Sequence, residues 1–169
     1  IGFAAALAEM LGGRHHPHAP FLTAVVTLPD GLRVDVASAR TEFYRTPAAL
    51  PEVETSLIRQ DLYRRDFTIN ALAIALSGDS YGDLVDFFGG RKDIQRREIR
   101  VLHSLSFIDD PTRALRAVRY ARRLGFDIAS DTRNLIATAL EEGVFERLSG
   151  QRLRREIEHL LAEPHPTPA

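Results

Sequence analysis

The sequence predicts an α+β fold, with strands and helices mixed in its first part and helices alone from residue 110 onward. Two patterns and one composition carry that expectation. Residues 23–38 alternate in the manner of a β-hairpin, and from residue 110 onward helical apolar spacing recurs with a stop after each run. The chain is 44% hydrophobic and 27% charged, as expected of a protein with a buried core. Its 169 residues suit one domain or two small ones. The absence of cysteine excludes a disulfide framework, a cysteine-ligated zinc site and a cysteine nucleophile. No apolar run approaches the ~20 residues of a membrane helix and nothing reads as a signal peptide. A soluble, cytoplasmic protein without membrane contact is the expectation.

The chain opens inside an amphipathic pattern. Phe3, Leu7, Met10 and Leu11 recur at helical spacing, and Gly12-Gly13 stops the run. A helix with neither cap nor loop ahead of it implies native sequence upstream. His15, His16 and His18 crowd together, but Pro17 interrupts them and no partner cluster accompanies them, so no metal site is read there. Residues 23–28, the turn Pro29-Asp30-Gly31 and residues 32–38 make the hairpin. Alternation places Leu32, Val34 and Val36 on one face and Arg33, Asp35 and Ala37 on the other. A carboxylate in mid-strand runs against strand composition, so Asp35 either serves a site or lies on a solvated face. Residues 39–60 show no clean period, contain Pro47 and Pro51, and read as a long loop able to move over a site.

The net charge of −1 conceals an uneven distribution. Residues 91–123 hold ten basic side chains against four acidic ones, a local excess of six. Either a polyanion faces this block, because guanidinium forks match phosphate geometry, or arginine fills solvated cationic positions in a chain whose only lysine is Lys92.

Arg64-Arg65-Asp66-Phe67-Thr68-Ile69-Asn70-Ala71-Leu72-Ala73 is the most informative stretch. It reads as a helix start, capped by Asp66 or Thr68, with Ile69, Leu72, Ala73 and Leu76 as the buried stripe. Charged groups there either meet an anion at the backbone N–H groups or face water. Asp109-Asp110-Pro111-Thr112-Arg113 begins a second helix, with Asp110 as N-cap, Pro111 in the first turn, and Gly125 with Phe126 as the stop. Ala114, Leu115, Val118 and Ala121 form its expected apolar stripe. Arg113, Arg116, Tyr120 and Arg123 fall on another face, open to phosphates or to solvent. Ser130 or Asp131 caps a further helix that buries Leu135, Ile136, Ala139 and Leu140 and stops at Gly143. Ser149 caps the last, which buries Leu153, Ile157, Leu160 and Leu161 and stops before Pro164; Arg152, Arg154 and Arg155 are expected in solvent, with RNA contact as the alternative, and residues 163–169 frayed.

Taken in order, these strings resemble the class II tRNA nucleotidyltransferase and bacterial poly(A) polymerase family, the CCA-adding group. Arg33-Val-Asp35-Val-Ala-Ser-Ala-Arg40-Thr-Glu is similar to its later active-site strand. Residues 64–73 resemble its motif B, Asp86-Phe-Phe-Gly89-Gly90 its motif C, and residues 109–126 its motif D. The resemblance spans about residues 20–126. It implies part of a nucleotidyltransferase head sheet over residues 1–90 and a helical neck over residues 91–169. The implied reaction adds C and/or A from CTP or ATP to the tRNA 3′ end, with Mg2+ in the complete enzyme. Asp35 would be a supporting third carboxylate. Arg64, Arg65, Asp66 and Asn70 would hold the nucleotide, Asp66 by its ribose 2′-OH. Asp110 and Arg113 would read the base, with Arg116 beside the triphosphate or the RNA, and Asp86, Gly89 and Gly90 would form a hinge.

The base-reading role has a physical basis. Ionised aspartate only accepts hydrogen bonds and arginine only donates them. Cytosine and adenine each present an amino donor beside an unprotonated ring nitrogen, which such a pair complements. Uracil and guanine reverse both contacts, at a cost of ~1–3 kcal/mol for each buried mismatch. Two departures from the family pattern stand out: Asp109 opens motif D where the family usually has Glu, and no Asp-x-Asp pair, the family's main metal-binding carboxylates, occurs in the chain. Glu52-Val-Glu54 is its nearest imitation and falls in the proline-containing loop rather than on a strand. No metal ligand is therefore certain, and these residues alone are expected to be catalytically silent. The alternatives are a non-catalytic RNA-binding module of the same fold, a poly(A) polymerase and, more distantly, an arginine-rich helical scaffold.

Overall fold

The computed structural model describes residues 2–43 and 52–163. The chain divides into two compact units, Ile1–Thr41 with Val53–Gln60, and Glu42–Glu52 with Asp61–Ala169. In the first, α1 (Gly2–Met10) precedes an antiparallel sheet of β1 (Arg14–His18), β2 (Thr23–Thr27) and β3 (Arg33–Ala37), in that order. The register sets Ala24 opposite Val36 and Val26 opposite Val34, so these four share a face. Ala4 and Ala8 of α1 pack on it with Leu7. The helix thus buries its small side chains, one turn apart, while Phe3, Met10 and Leu11 of the expected stripe are exposed. Strand β1 is not announced by the sequence; its Pro17 is tolerated because β1 is an edge strand, where a missing N–H costs least.

Residues 39–60 are not one loop. β4 (Arg40–Phe43) pairs with β5 (Glu52–Thr55), which places Glu52 and Glu54 on a strand, contrary to expectation. Thr41 and Phe43, like Val53 and Thr55, put β-branched or aromatic residues at alternate positions, the composition of a strand. Residues 44–51, with Pro47 and Pro51, lie outside the described residues.

After α2 (Ile58–Tyr63), the expected helix start at residues 64–73 is instead a single 3₁₀ turn, Thr68–Asn70, followed by β6 (Ala73–Ile74), which pairs antiparallel with β7 (Leu84–Val85). Thr68, Ile69 and Asn70 are weak helix formers, and the backbone finds partners elsewhere. Thr68 N–H donates to Arg100 O at 2.9 Å, and Phe67 forms a β-bridge with Val101. Phe67, Thr68 and Ala71 are buried, whereas Ile74 and Leu76 are exposed.

The remainder runs through α3 (Gly90–Arg96), β8 (Glu98–Ile99), α4 (Ser106–Asp109), α5 (Thr112–Leu124), β9 (Asp127–Ile128), α6 (Ser130–Glu141) and α7 (Gly150–Leu161). It is not purely helical, because β8 and β9 pair in parallel and bury Ile99. Phe67, Ile99, Val101, Phe107, Ala114, Ala117, Ala139 and Val144 form the core. Helix α5 ends as expected, with Gly125 left-handed (φ +64°) and Phe126 N–H bonded to Ala121 O at 2.9 Å. Its apolar face runs through Ala114, Ala117 and Ala121, and Val118 is exposed. Ala129, not Ser130 or Asp131, stands at the N-cap of α6, where Ala139 is buried but Leu140 is exposed. Asp131 instead pairs with Arg100 at 3.4 Å. Ser149 caps α7 as expected, its Oγ accepting from Arg152 N–H at 3.4 Å. Leu153, Ile157 and Leu161 are exposed, because α7 turns charged residues toward α5: Glu156 lies 3.9 Å from Arg116 and 3.7 Å from Arg119. Among the described residues no helix is long and apolar enough to cross a membrane.

Candidate functional site

Arg64, Arg65, Asp66 and Asn70 from the turn, with Asp110, Arg113, Arg116 and Tyr120 from the start and flank of α5, line one cleft of about 570 Å³. Every residue expected to bind nucleotide is in that wall. The buried Asp61 anchors the two arginines, accepting from Arg64 at 2.8 Å and Arg65 at 3.3 Å across one helical turn.

Asp66 is the electrostatic centre of the turn. Its Oδ1 accepts from Phe67 N–H and Asn70 Nδ2, each at 3.0 Å, and its Oδ2 accepts from Arg116 Nε at 2.9 Å and from Arg116 Nη2. Burial works to raise its pKa, but the Arg116 charge and the bonds from Asn70, Arg116 and Phe67 outweigh it and hold the carboxyl below its usual value. Burial likewise opposes the Arg116 charge, which Asp66 more than restores. With four donors already on the Asp66 carboxylate, a ribose hydroxyl would have to displace one of them.

Pro111 occupies the N-cap position of α5, and Asp110 stands one residue earlier than expected. Asp110 still closes the helix start: its Oδ1 accepts from Thr112 N–H at 3.0 Å, Thr112 Oγ1 at 2.6 Å and Arg152 Nη2 at 2.8 Å. Its Oδ2 has no partner among the described residues. Arg113, only 5% exposed, donates from Nη2 to Arg64 O at 2.8 Å, while its buried Nη1 has no partner among the described residues. The cleft therefore holds an unfilled acceptor and an unfilled donor three residues apart. Buried polar groups are ordinarily satisfied, so the orphaned guanidinium nitrogen points to a ligand. Tyr120 adds an aromatic edge, its ring 5.8 Å from Phe67 and flanked by the Arg119 guanidinium at 5.0 Å. Nearby, burial first and the Arg113 charge second lower the His103 pKa, against the pull of Asp109 at 3.9 Å, so the imidazole is neutral at pH 7.

The other expected residues are not among those that line this cleft. Asp86 caps α3, accepting from Gly90 N–H at 2.9 Å and Arg91 N–H at 3.0 Å. Burial works to raise its pKa, and these bonds with those from Phe88 and Gly89 lower it overall. Gly89 is left-handed (φ +78°), and a Cβ on Gly90 would overlap the Thr68 carbonyl oxygen. Both glycines thus answer static demands of the backbone. Asp35 lies in the first unit, exposed on the face of β3 that does not carry Val34 and Val36, opposite Val25 with His16 beyond. Among the described residues no group of three or more His, Cys, Asp or Glu could hold a metal ion. These residues do not make a metal site of their own.

Residues 3–100 match the family described as poly A polymerase head domain. The chain belongs to that family. Among curated relatives of this head-domain chain, the A-adding tRNA nucleotidyltransferase of Geobacter sulfurreducens is 52% identical over 100% of the chain and 19% of the relative. That of Halalkalibacterium halodurans is 44% identical over 98% of the chain and 39% of the relative. The CC-adding tRNA nucleotidyltransferase of Deinococcus radiodurans is 40% identical over 96% of the chain and 42% of the relative. Among solved structures, a CCA-adding enzyme in apo form II superposes with a TM-score of 0.93 at 52% identity, covering 98% of this chain and 39% of that one. A tRNA nucleotidyltransferase with a primer tRNA and an incoming ATP analog gives 0.85 at 39% identity, covering 96% and 45%. The chain thus spans less than half the length of each of these proteins.

Sequence reasoning left out three residues of this neighbourhood. Asp61 was detectable, since a carboxylate three and four positions before two arginines on a helix is a pairing signal. Tyr120 shared the arginine face of α5 but had no assigned role. Arg152, expected in solvent, had no local signal, because its bond to Asp110 spans 42 positions.

Proposed function

We propose that this chain contributes the nucleotide-selecting part of a template-independent RNA nucleotidyltransferase that adds C and/or A from CTP or ATP to the tRNA 3′ end. Residues 1–90 would belong to the head and residues 91–169 to the neck. The observation that carries the reading is the cleft in which Asp110 keeps a free acceptor oxygen and Arg113 a buried, unpartnered donor. Cytosine and adenine offer the complementary edge, and uracil and guanine its reverse. The relatives named for A addition and for CC addition, and the solved complex with primer tRNA and an ATP analog, support the same substrate class.

Asp110 accepts the exocyclic amino group and Arg113 donates to the ring nitrogen, while Arg116, held by Asp66, adds positive charge to the cleft wall. Bound Mg2+ would supply charge neutralisation of the triphosphate and activation of the attacking hydroxyl, using carboxylates other than those of this cleft, with Asp35 in support. The test is base choice in the complete protein that carries this sequence. Asp110→Asn should lower the kcat/KM preference for CTP or ATP over UTP and GTP by roughly ten- to a hundredfold, because one acceptor becomes ambiguous. Unchanged base choice would reject the reading.

A further inference from the structure

Asp110 stands in the walls of two clefts. Besides the one just described, a second of about 310 Å³ lies between α5 and α7, and Asp110, Arg116, Arg119, Arg152 and Glu156 are among its lining residues. Arg152 lines this second cleft and not the first, yet its Nη2 donates to Asp110 Oδ1 at 2.8 Å. Thr112 supplies two more donors to the same oxygen, through its backbone N–H and its hydroxyl. Oδ1 is therefore saturated and Oδ2 is not. A carboxylate with one oxygen pinned from behind presents the other in one orientation.

We infer that Arg152 is a specificity-determining positioning residue, which holds Asp110 from outside the nucleotide cleft so that Oδ2 alone faces the base. This rests on the base-reading role of Asp110 proposed above. Thr112 acts from within the turn that Asp110 itself caps, so it moves with Asp110. Arg152 comes from a separate helix and supplies the external reference. Without it, only the two Thr112 donors of the same turn hold Oδ1, and a base offering an acceptor in place of a donor meets a less firmly fixed lone pair.

The experiment compares kcat/KM for ATP, CTP, GTP and UTP in the complete protein, for Arg152→Ala, Arg152→Lys, Asp110→Asn and the double variant Arg152→Ala/Asp110→Asn. Arg152→Ala should lower the ratio of cognate to non-cognate bases by about tenfold or more, with inhibition by pyrophosphate unchanged. Arg152→Lys, which retains a cationic donor, should restore most of the ratio. The double variant should fall less than about twofold below Asp110→Asn, since the two act as a unit. Should Arg152→Ala not fold, Arg152→Gln takes its place under the same criteria. An equal loss for all four nucleotides would show a merely structural role and overturn the inference. So would weaker pyrophosphate inhibition with base choice intact, which would make Arg152 an anion ligand. If Asp110→Asn leaves base choice intact, the base-reading role fails first; if only the Arg152 variants leave it intact, the positioning role fails alone.

Discussion

Residues 64–73 and residues 109–125 make a natural comparison, because both strings set charged residues before an apolar pattern and only the second forms a helix. In α5, the run after Thr112 is alanine, leucine and arginine with a glycine stop, so the backbone satisfies itself. In the first string, Thr68, Ile69 and Asn70 favour other conformations, and Thr68 N–H goes to Arg100 O instead. The charged side chains nevertheless finish in the same place, on the wall of one cleft. Helix propensity decided the backbone. Cross-chain hydrogen bonds and ion pairs decided the site.

If tertiary packing holds the first string, the largest stability loss should come from its apolar anchor. Phe67→Ala, at a fully buried position, should cost about 3–5 kcal/mol in urea unfolding, whereas Val118→Ala on the exposed flank of α5 should stay within about 0.5 kcal/mol. Next in size is the link between the strings. Arg116→Met leaves the Asp66 carboxylate buried without its cation, and should cost about 2–3 kcal/mol at pH 7 rather than the fuller value of a wholly buried pair, because the Arg116 side chain is 33% exposed. The Asp66 pKa is depressed in the folded state, so this stabilisation is complete above the usual carboxyl value of 3.8 and is lost as pH falls through the lower folded value. Wild type and Asp66→Asn should therefore differ at pH 7 and converge in acid, as followed by urea midpoints at both pH values. The smallest effect should fall on the start of α5. Asp110→Asn should change stability by no more than about 1 kcal/mol in a thermal melt, because asparagine caps as well as aspartate. A larger loss would mean that the helix start depends on the Arg152 pair and not on capping.

The cleft was largely legible because its residues sit in two short strings whose chemistry can be read locally. What failed was the assignment of faces. The arginine excess of residues 91–123 is open in the sequence to a polyanion or to solvent, and the carboxylates that pair with several of these arginines come largely from other elements: Asp66 for Arg116, Glu156 for Arg119, and Asp131 for Arg100 alongside Asp93 and Glu98. Periodicity found α7 and its cap correctly, yet could not tell that its charged side would meet α5. In α1 the same reasoning chose Phe3 and Met10 over Ala4 and Ala8, because hydrophobic size was read as burial where close approach to a sheet needs small side chains. Strand β1 escaped notice for the opposite reason, since histidine and proline hide a strand whose register is set by its neighbour.

The bare backbone at Gly90 has one more consequence. Because no Cβ intervenes, the first turn of α3 rests on the Thr68 carbonyl, and the Thr68 hydroxyl donates to Asp93 on that same turn at 2.6 Å. Motifs B and C are in effect spliced. A rotation confined to residues 89 and 90 would tear Thr68 away from Asp93, so any tilt of α3 is passed to Asp66 and Asn70, and with them to the floor on which an incoming nucleotide would rest.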